Sequence, residues 1–233
     1  MESAEYALMD KAEDAMWWYR ALHTRLRDAL AGTMEPILDA GCGTGGLLTF
    51  LGTGARFGVE WSEAAASRAA AKSAAPVARG SVNALPFANA SFGAVVAADV
   101  LCHGAVDPAQ ALAEMKRVLR PGGRLIVNMP AYQWMLSAHD TRVHNTRRMT
   151  TTQTQAMLAG AGFQAIRARY WNTLLLPLMI AQRKILSRGD SASDVAPFPP
   201  WLDATLLAVT SLERCLKFPL PFGGSVLAIA EKP

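Results

Sequence analysis

The sequence predicts an α/β protein built on one largely parallel sheet with helices on both faces. Three observations carry that expectation. From Pro36 onward, short apolar runs alternate with segments of helical spacing. The runs are apolar throughout, as strands buried on both faces require, and do not alternate in polarity. The chain has 233 residues, of which 51% are hydrophobic and 18% charged, enough apolar material for a sizeable core. The same composition excludes a disordered chain, a coiled coil and a small disulfide scaffold.

In chain order, Met16 to Leu30 places Trp18, Leu22, Leu26 and Leu30 at helical spacing, with Arg20, Arg25 and Arg27 between them. Gly32 ends that helix. Ile37–Leu38 follows as a strand and Leu47–Leu51 as a helix; Phe57–Val59 is the next strand and Glu63–Lys72 its helix. Val77–Ala78 and Ala94–Ala98 are strands, Pro108–Leu119 a helix, and Leu125–Met129 a fifth strand. Thr152–Ala161 is helical and Phe163–Arg169 a sixth strand; Ser225–Ala230 is one more. Residues 171–222 break the rhythm with Pro177, Pro197, Pro199, Pro200, Pro219 and Pro221 around a helical pattern at 202–216. They read as an insertion over one face and not as an independent domain.

The apolar run Trp171–Gln182 is interrupted by Asn172, Thr173 and Pro177. It is shorter than the roughly 20 residues that cross a bilayer. The first twenty residues hold five acidic side chains and no apolar stretch before a small-residue cleavage site, so no signal peptide is expected. Cys42, Cys102 and Cys215 are an odd number without CxxC spacing. That argues against a disulfide framework and a Cys-rich zinc site, and a cytoplasmic location is the expectation.

The stretch Ile37-Leu38-Asp39-Ala40-Gly41-Cys42-Gly43-Thr44-Gly45-Gly46 carries the most chemistry. A strand enters, glycines permit a tight turn and close backbone approach, and a helix start offers unpaired N–H groups. Gly41, Gly43 and Gly46 also satisfy the dinucleotide pattern G-x-G-x-x-G, which alone marks no more than a tight turn. Glu60 ends the next strand, nineteen residues after Gly41, where an acid accepts hydrogen bonds from ribose hydroxyls. Asp39 separates the two ligand classes. A carboxylate there repels a pyrophosphate but matches the ammonium and sulfonium of S-adenosylmethionine.

These residues, with four later motifs, resemble the class I S-adenosylmethionine-dependent methyltransferases of the broad type 11/12 group. Glu60-Trp61-Ser62-Glu63 resembles the second-strand motif; Gly80 to Phe87 with Ser91-Phe92 resembles the adenine loop. Ala97-Ala98-Asp99-Val100-Leu101-Cys102-His103 is similar to the fourth-strand motif, and Leu119 to Leu125 to the turn before the fifth strand. The resemblance runs from about residue 14 to 170 and also fits the last strand. It implies a Rossmann-like doubly wound sheet of order 3-2-1-4-5-7-6, the last strand antiparallel, and S-adenosyl-L-methionine as cofactor. The whole chain, 1–233, is then one domain. Residues 1–33 form a helical N-terminal lid, 34–170 the cofactor-binding core, 171–222 a cap, and 223–233 the final strand.

Carried over residue by residue, the resemblance puts Gly41, Gly43 and Gly45 against the methionine moiety, with Asp39 supporting its amino group. Glu60 binds the ribose hydroxyls and Trp61 covers the adenine. The N–H of Val82 meets an adenine ring nitrogen, Ser81 its exocyclic amine, and Ala98 offers a carbonyl to the ammonium. Trp17-Trp18-Tyr19-Arg20 resembles an aromatic N-terminal segment in one branch of the group, where the helix lids the cofactor or packs on the sheet. Three positions depart from the pattern. Ser81 stands where many relatives have Asp, Gly93 replaces an acid after Phe92, and Cys102 precedes His103 where Glu-His is common.

For the acceptor, methyl transfer needs alignment, exclusion of water and removal of a proton. His139, Asp140 and His144 follow the fifth strand, at the carboxyl end of the sheet where ligands of open α/β folds bind. Either histidine suits a base near neutral pH, with Asp140 orienting one of them or pairing with Arg147 and Arg148 instead. A metal site from the same three residues has little support in their spacing. Thr141 to Gly189 holds eight basic residues and no acidic one, beside the apolar Leu174-Leu175-Leu176 and Leu178-Met179-Ile180. The basic stretch is a solvated face or meets something anionic. The expected partner is a small-molecule or amphiphilic acceptor with an acidic or polar head, with peripheral membrane contact and no nucleic acid. Two other readings stay open: a non-catalytic cofactor-binding protein, which Ser81 and Cys102 allow, and a nicotinamide-dependent oxidoreductase, against which Asp39 argues.

Overall fold

The computed structural model describes residues 3–181, 198–216 and 218–233. Helices α1 (Ser3–Ala12) and α2 (Trp17–Leu30) precede strand β1 (Ile37–Ala40). Then come α3 (Gly46–Leu51), β2 (Arg56–Glu60), α4 (Glu63–Ser73), β3 (Val77–Arg79), β4 (Phe92–Ala98), α5 (Pro108–Val118) and β5 (Leu119–Pro130). After a 3-10 turn at Gln133–Met135 the chain continues through α6 (Ala138–Arg142), α7 (Thr151–Gly160), β6 (Gln164–Trp171), α8 (Leu176–Ala181), α9 (Pro200–Arg214) and β7 (Ser225–Glu231). The strands form one sheet of order β3-β2-β1-β4-β5-β7-β6. β7 runs antiparallel to both β5 and β6, and the other pairs are parallel. This is the expected order and direction.

β4 shows why the sheet needs cover on both sides. Val95 and Ala97 face a core containing Leu112 and Met115 of α5 and Leu158 of α7. Ala94 and Val96 point the other way, into a core with Leu22 and Leu26 of α2. With side chains alternating across the pleat, a strand covered on both faces is apolar at every position. Each fully buried Leu contributes roughly 1.5–3 kcal/mol. The helix starts are equally local in origin. The Asp107 carboxylate accepts from the N–H groups of Ala109 and Gln110 before Pro108 opens α5. Thr150 and Gln153 form a reciprocal capping box at α7.

Three features that the sequence reading did not delimit have physical causes. Helix α1, which the sequence reading did not delimit within the helical segment expected over residues 1–33, is tied to α4 by ion pairs, Asp10 with Arg68 at 2.8 Å and, just past its end, Glu13 with Lys72 at 2.7 Å, which no local pattern announces. Strand β5 begins at Leu119, six residues before the expected start. Gly122 takes φ +72° and exchanges backbone hydrogen bonds, with Gly123, against Lys232 beyond β7, so the ladder continues through the turn. Helix α2 packs on the sheet along its length, while only its first turns reach toward the ligand cavity. Leu175 and, from α9, Leu206 both pack on Trp17. Arg183, Lys184 and Arg188 of the basic stretch, and Pro197, lie outside the described residues. Among the described residues no helix is long and apolar enough to cross a membrane.

Candidate cofactor and acceptor cavity

The carboxyl ends of β1, β2, β4 and β5 open into one cavity of about 690 Å³. Of the expected cofactor residues, Asp39, Gly41, Gly43, Glu60, Trp61, Ser81, Val82, Ala98 and Tyr19 line it, as do His139, Asp140 and His144. Gly45 does not. Its φ of +92° starts α3, and a Cβ there would lie 2.8 Å from the Ala69 Cα of α4. Gly45 is therefore required for the close approach of two helices. At Gly43 the neighbour is Met9 of α1, whose Cε would sit 2.6 Å from an added Cβ.

The glycine-loop end is acidic. Asp39 is 3% exposed, and no hydrogen bond or ion pair reaches its carboxyl from the described residues. Burial first, then the charges of Glu13 and Glu60, push its pKa up to about 8. Glu60 accepts from the backbone N–H of Gly43 at 3.1 Å and of Ser62 at 2.9 Å. It also accepts from the Tyr6 hydroxyl at 2.9 Å. Glu13 accepts from the Thr44 hydroxyl at 2.7 Å and pairs with Lys72. Burial, with Asp39 and Glu60 beside it, pushes the Cys42 thiol well above its ordinary range, so Cys42 is packing and not a nucleophile. Three acids thus converge on this end, and of them only Glu13 has a cation among the described residues, Lys72.

Further along, Trp61 stands 73% exposed over the rim. The Ser81 hydroxyl accepts from the Asn83 N–H at 3.1 Å, which ties it to its own turn. Val82 is buried beside it. Trp18 meets Tyr19 edge-on at 5.1 Å and lies 6.1 Å from the Trp171 ring.

The far end is polar in a different way. Asp99, just beyond β4, has a left-handed backbone with φ +53°. Its carboxyl accepts from Asn128 Nδ2 at 3.0 Å, and Trp171 Nε1 donates to Asn128 Oδ1 at 2.8 Å. Burial lifts Asp99 to about 6. His103 is half-buried, and burial lowers its pKa to about 4, so it is neutral at pH 7. His144 is exposed with φ +59°, and His139 is half-buried. Asp140 is 1% exposed and accepts from Arg148 Nη2 at 2.8 and 3.0 Å and from Nε at 3.1 Å. It also caps α6 through the Ser137 N–H and hydroxyl. The ion pair expected between Asp140 and an arginine is made with Arg148. No group of three or more His, Cys, Asp or Glu side chains among the described residues is placed to hold a metal ion. Asn172 is fully buried, with φ +59°, and its Oδ1 has no partner among the described residues.

Sequence reasoning missed Tyr6, Glu13, Asn128 and Asn172, and quoted Asp99 without giving it a role. Tyr6 and Glu13 precede the recognisable motifs, and only the fold of α1 brings them to Glu60 and Thr44. A signal existed for Asp99: an acid directly following an uncharged apolar strand is costly unless it is used.

Residues 38–127 match a family model described as a methyltransferase domain. A "probable S-adenosylmethionine-dependent methyltransferase" of Mycolicibacterium smegmatis is 30% identical over 169 residues, covering 70% of this chain and 65% of that protein. The curated relatives are longer than the matched region, which spans between 36% and 65% of their length. Among solved structures, a SAM-dependent methyltransferase of Thermotoga maritima, described as a possible histamine N-methyltransferase, superposes with a TM-score of 0.64 at 20% identity over 99% of this chain and 95% of that one. The geranyl diphosphate C-methyltransferase of Streptomyces coelicolor, solved with Mg2+, geranyl diphosphate and S-adenosyl-L-homocysteine, gives 0.59 at 15% identity over 92% of this chain and 78% of that one. At these identities the structural likenesses speak for the fold alone.

Proposed function

The chain carries a class I S-adenosylmethionine-dependent methyltransferase domain, and from that premise we propose that it moves a methyl group from S-adenosyl-L-methionine to a small or amphiphilic acceptor. The observation that carries this reading is Asp39. A buried carboxyl beside Glu13 and Glu60, with no cation of its own, fits a ligand bearing an ammonium and a sulfonium. Glu60 receives the ribose hydroxyls, Trp61 covers the adenine, Val82 offers its N–H, and Ala98 its carbonyl. Gly41 and Gly43 let the loop approach closely, and Tyr19 closes the aromatic side. The cofactor supplies a methyl group already activated by positive sulfur.

The remaining work belongs to the chain's own residues. The walls that shut out water are Trp17, Val143, Met179 and Phe198, and this apolar enclosure favours an acceptor with a hydrophobic body. The unpartnered Asn172 Oδ1 suits a hydroxyl or amine donor on that acceptor. His139 or His144 takes the acceptor's proton, with Asp140 and Arg148 fixing the short helix that carries His139 and leads into His144. Replacing the catalytic histidine by Ala is expected to lower kcat by roughly 10²–10⁴ without weakening cofactor binding.

Calorimetry with S-adenosylhomocysteine tests the cofactor half. Wild type binds, and Glu60→Ala loses charge-assisted hydrogen bonds worth about 1.5–3 kcal/mol, so affinity drops about tenfold or more while the fold persists. An unchanged dissociation constant removes Glu60 from the site. Transfer of label from radioactive S-adenosylmethionine into a cell extract, followed by identification of the labelled species, tests the activity and names the acceptor.

A further inference from the structure

Away from the cofactor cavity, a second depression of about 500 Å³ lies between the C-terminal halves of α2 and α9 and the outer face of β5, β7 and β6. Its lining shares no residue with the cavity. Five arginines surround it: Arg25, Arg124, Arg167, Arg169 and Arg214. Its two carboxylates are already engaged. Asp28 pairs with Arg214 at 2.6 Å, and Glu213 accepts from the backbone N–H groups of Thr173 and Leu174 while facing Arg25 at 3.9 Å.

Three of the arginines have structural tasks. Arg25 donates to the carbonyls of Ala21 and Thr210 and stacks 4.6 Å above the Trp171 ring. Arg214 joins α9 to α2 through Asp28. Arg124 donates from Nη1 to the carbonyls of Ala29 and Ala31 at the end of α2, but its Nε is buried with no partner among the described residues. Arg167 and Arg169 have no hydrogen bond or ion pair to any described residue, and they stand two apart on β6, hence on one face of the edge strand. Two unneutralised guanidiniums thus stand on one hollow, lined also by Arg124 with its orphaned Nε and by Leu227 and Ile229.

We propose that this groove binds an anion bearing a phosphate group, with Arg167 and Arg169 as the primary contacts and Arg124 completing them. Guanidinium forks match phosphate oxygens in geometry as well as charge, and the positive surplus has no other recipient among the described residues. The apolar floor accommodates the body to which the phosphate is attached. This also gives a place to part of the basic stretch that the methyl-transfer reading leaves unused. The inference does not depend on that reading, because the groove and the cavity are separate.

The test uses the full chain at low and high salt, with inorganic pyrophosphate in calorimetry and with phosphatidylcholine vesicles containing or lacking phosphatidylglycerol in co-sedimentation. The paired variant Arg167→Glu/Arg169→Glu is compared with wild type, and Arg167→Gln/Arg169→Gln serves as a milder second pair. Both positions are exposed, and S-adenosylhomocysteine binding reports that each variant keeps its fold. Saturable pyrophosphate binding that weakens with salt and falls about tenfold or more in either pair supports a soluble phosphate ligand. Salt-sensitive sedimentation with phosphatidylglycerol vesicles alone, lost in the variants, supports the same chemistry on a lipid headgroup. Wild type that binds neither probe, or variants that bind as wild type does, overturn the proposal.

Discussion

The two ends of the main cavity each bury a carboxylate, and they treat it in opposite ways. Asp140 at the far end is matched by a bidentate Arg148, so its charge is satisfied by the fold. Asp39 at the glycine loop has other acids for neighbours, and burial holds it largely protonated at pH 7. A paired buried charge is part of the structure, whereas an unpaired one is kept neutral at a cost that a cationic ligand can offset. The difference teaches that the fold completes the charge of one acid and leaves the other without a cation among the described residues, although both lie in the same cavity.

The sharpest way to break the comparison is to make Asp140 resemble Asp39. Arg148→Ala leaves a buried carboxylate without its cation, and thermal or urea unfolding is expected to show a loss of about 3–5 kcal/mol. The double replacement Asp140→Asn with Arg148→Met should recover much of that. Equal stability of the single variant and wild type would show that the pair is not holding the α6 segment.

The converse change acts on Asp39. Its folded pKa of about 8 lies above the ordinary carboxylate value, so between about pH 4 and 8 the empty folded state holds a proton that the unfolded chain has lost. That contribution to stability is full below pH 4 and declines as pH rises to 8. Asp39→Asn should therefore stabilise the empty protein near neutral pH, by on the order of 3 kcal/mol, and flatten this decline. It should also weaken S-adenosylmethionine binding. In wild type, cofactor affinity should climb from pH 6 to 8 with release of a proton, measurable by calorimetry in buffers of different ionisation enthalpy. Binding without proton release would separate Asp39 from the cation.

The smallest expected effect concerns Tyr6, whose hydroxyl sits on the Glu60 oxygen assigned to ribose. If the phenol must leave for the ribose to bind, Tyr6→Phe removes a competing hydrogen bond worth about 0.5–1.5 kcal/mol. S-adenosylhomocysteine should then bind up to roughly tenfold more tightly. Weaker binding by the variant would make Tyr6 a cofactor contact instead.

What was legible in the sequence is whatever local pattern encodes. Apolar runs such as Ala94–Ala98 and Val226–Ala230, within the strands read at Ala94–Ala98 and Ser225–Ala230, announce strands because burial on both faces leaves little room for polar residues. Asp39, Gly41, Gly43 and Glu60 could be picked out because a glycine turn and its flanking acids lie within one strand–turn–helix–strand unit. Their chemistry follows from spacing along the chain. Tertiary structure decided the rest. Gly45 looks like its neighbours in sequence, and only the folded chain shows its φ of +92° and the approach of Ala69 that leaves no room for a Cβ. The sequence offered Asp140 both a histidine and an arginine as partners, and only folding shows Arg148 within 3.1 Å of it. Tyr6 meets Glu60 across 54 residues, and Trp171 meets Asn128 across 43. Such contacts depend on how helices dock and strands register, and the energies that fix docking are sums over many distant side chains. No window of the sequence contains them.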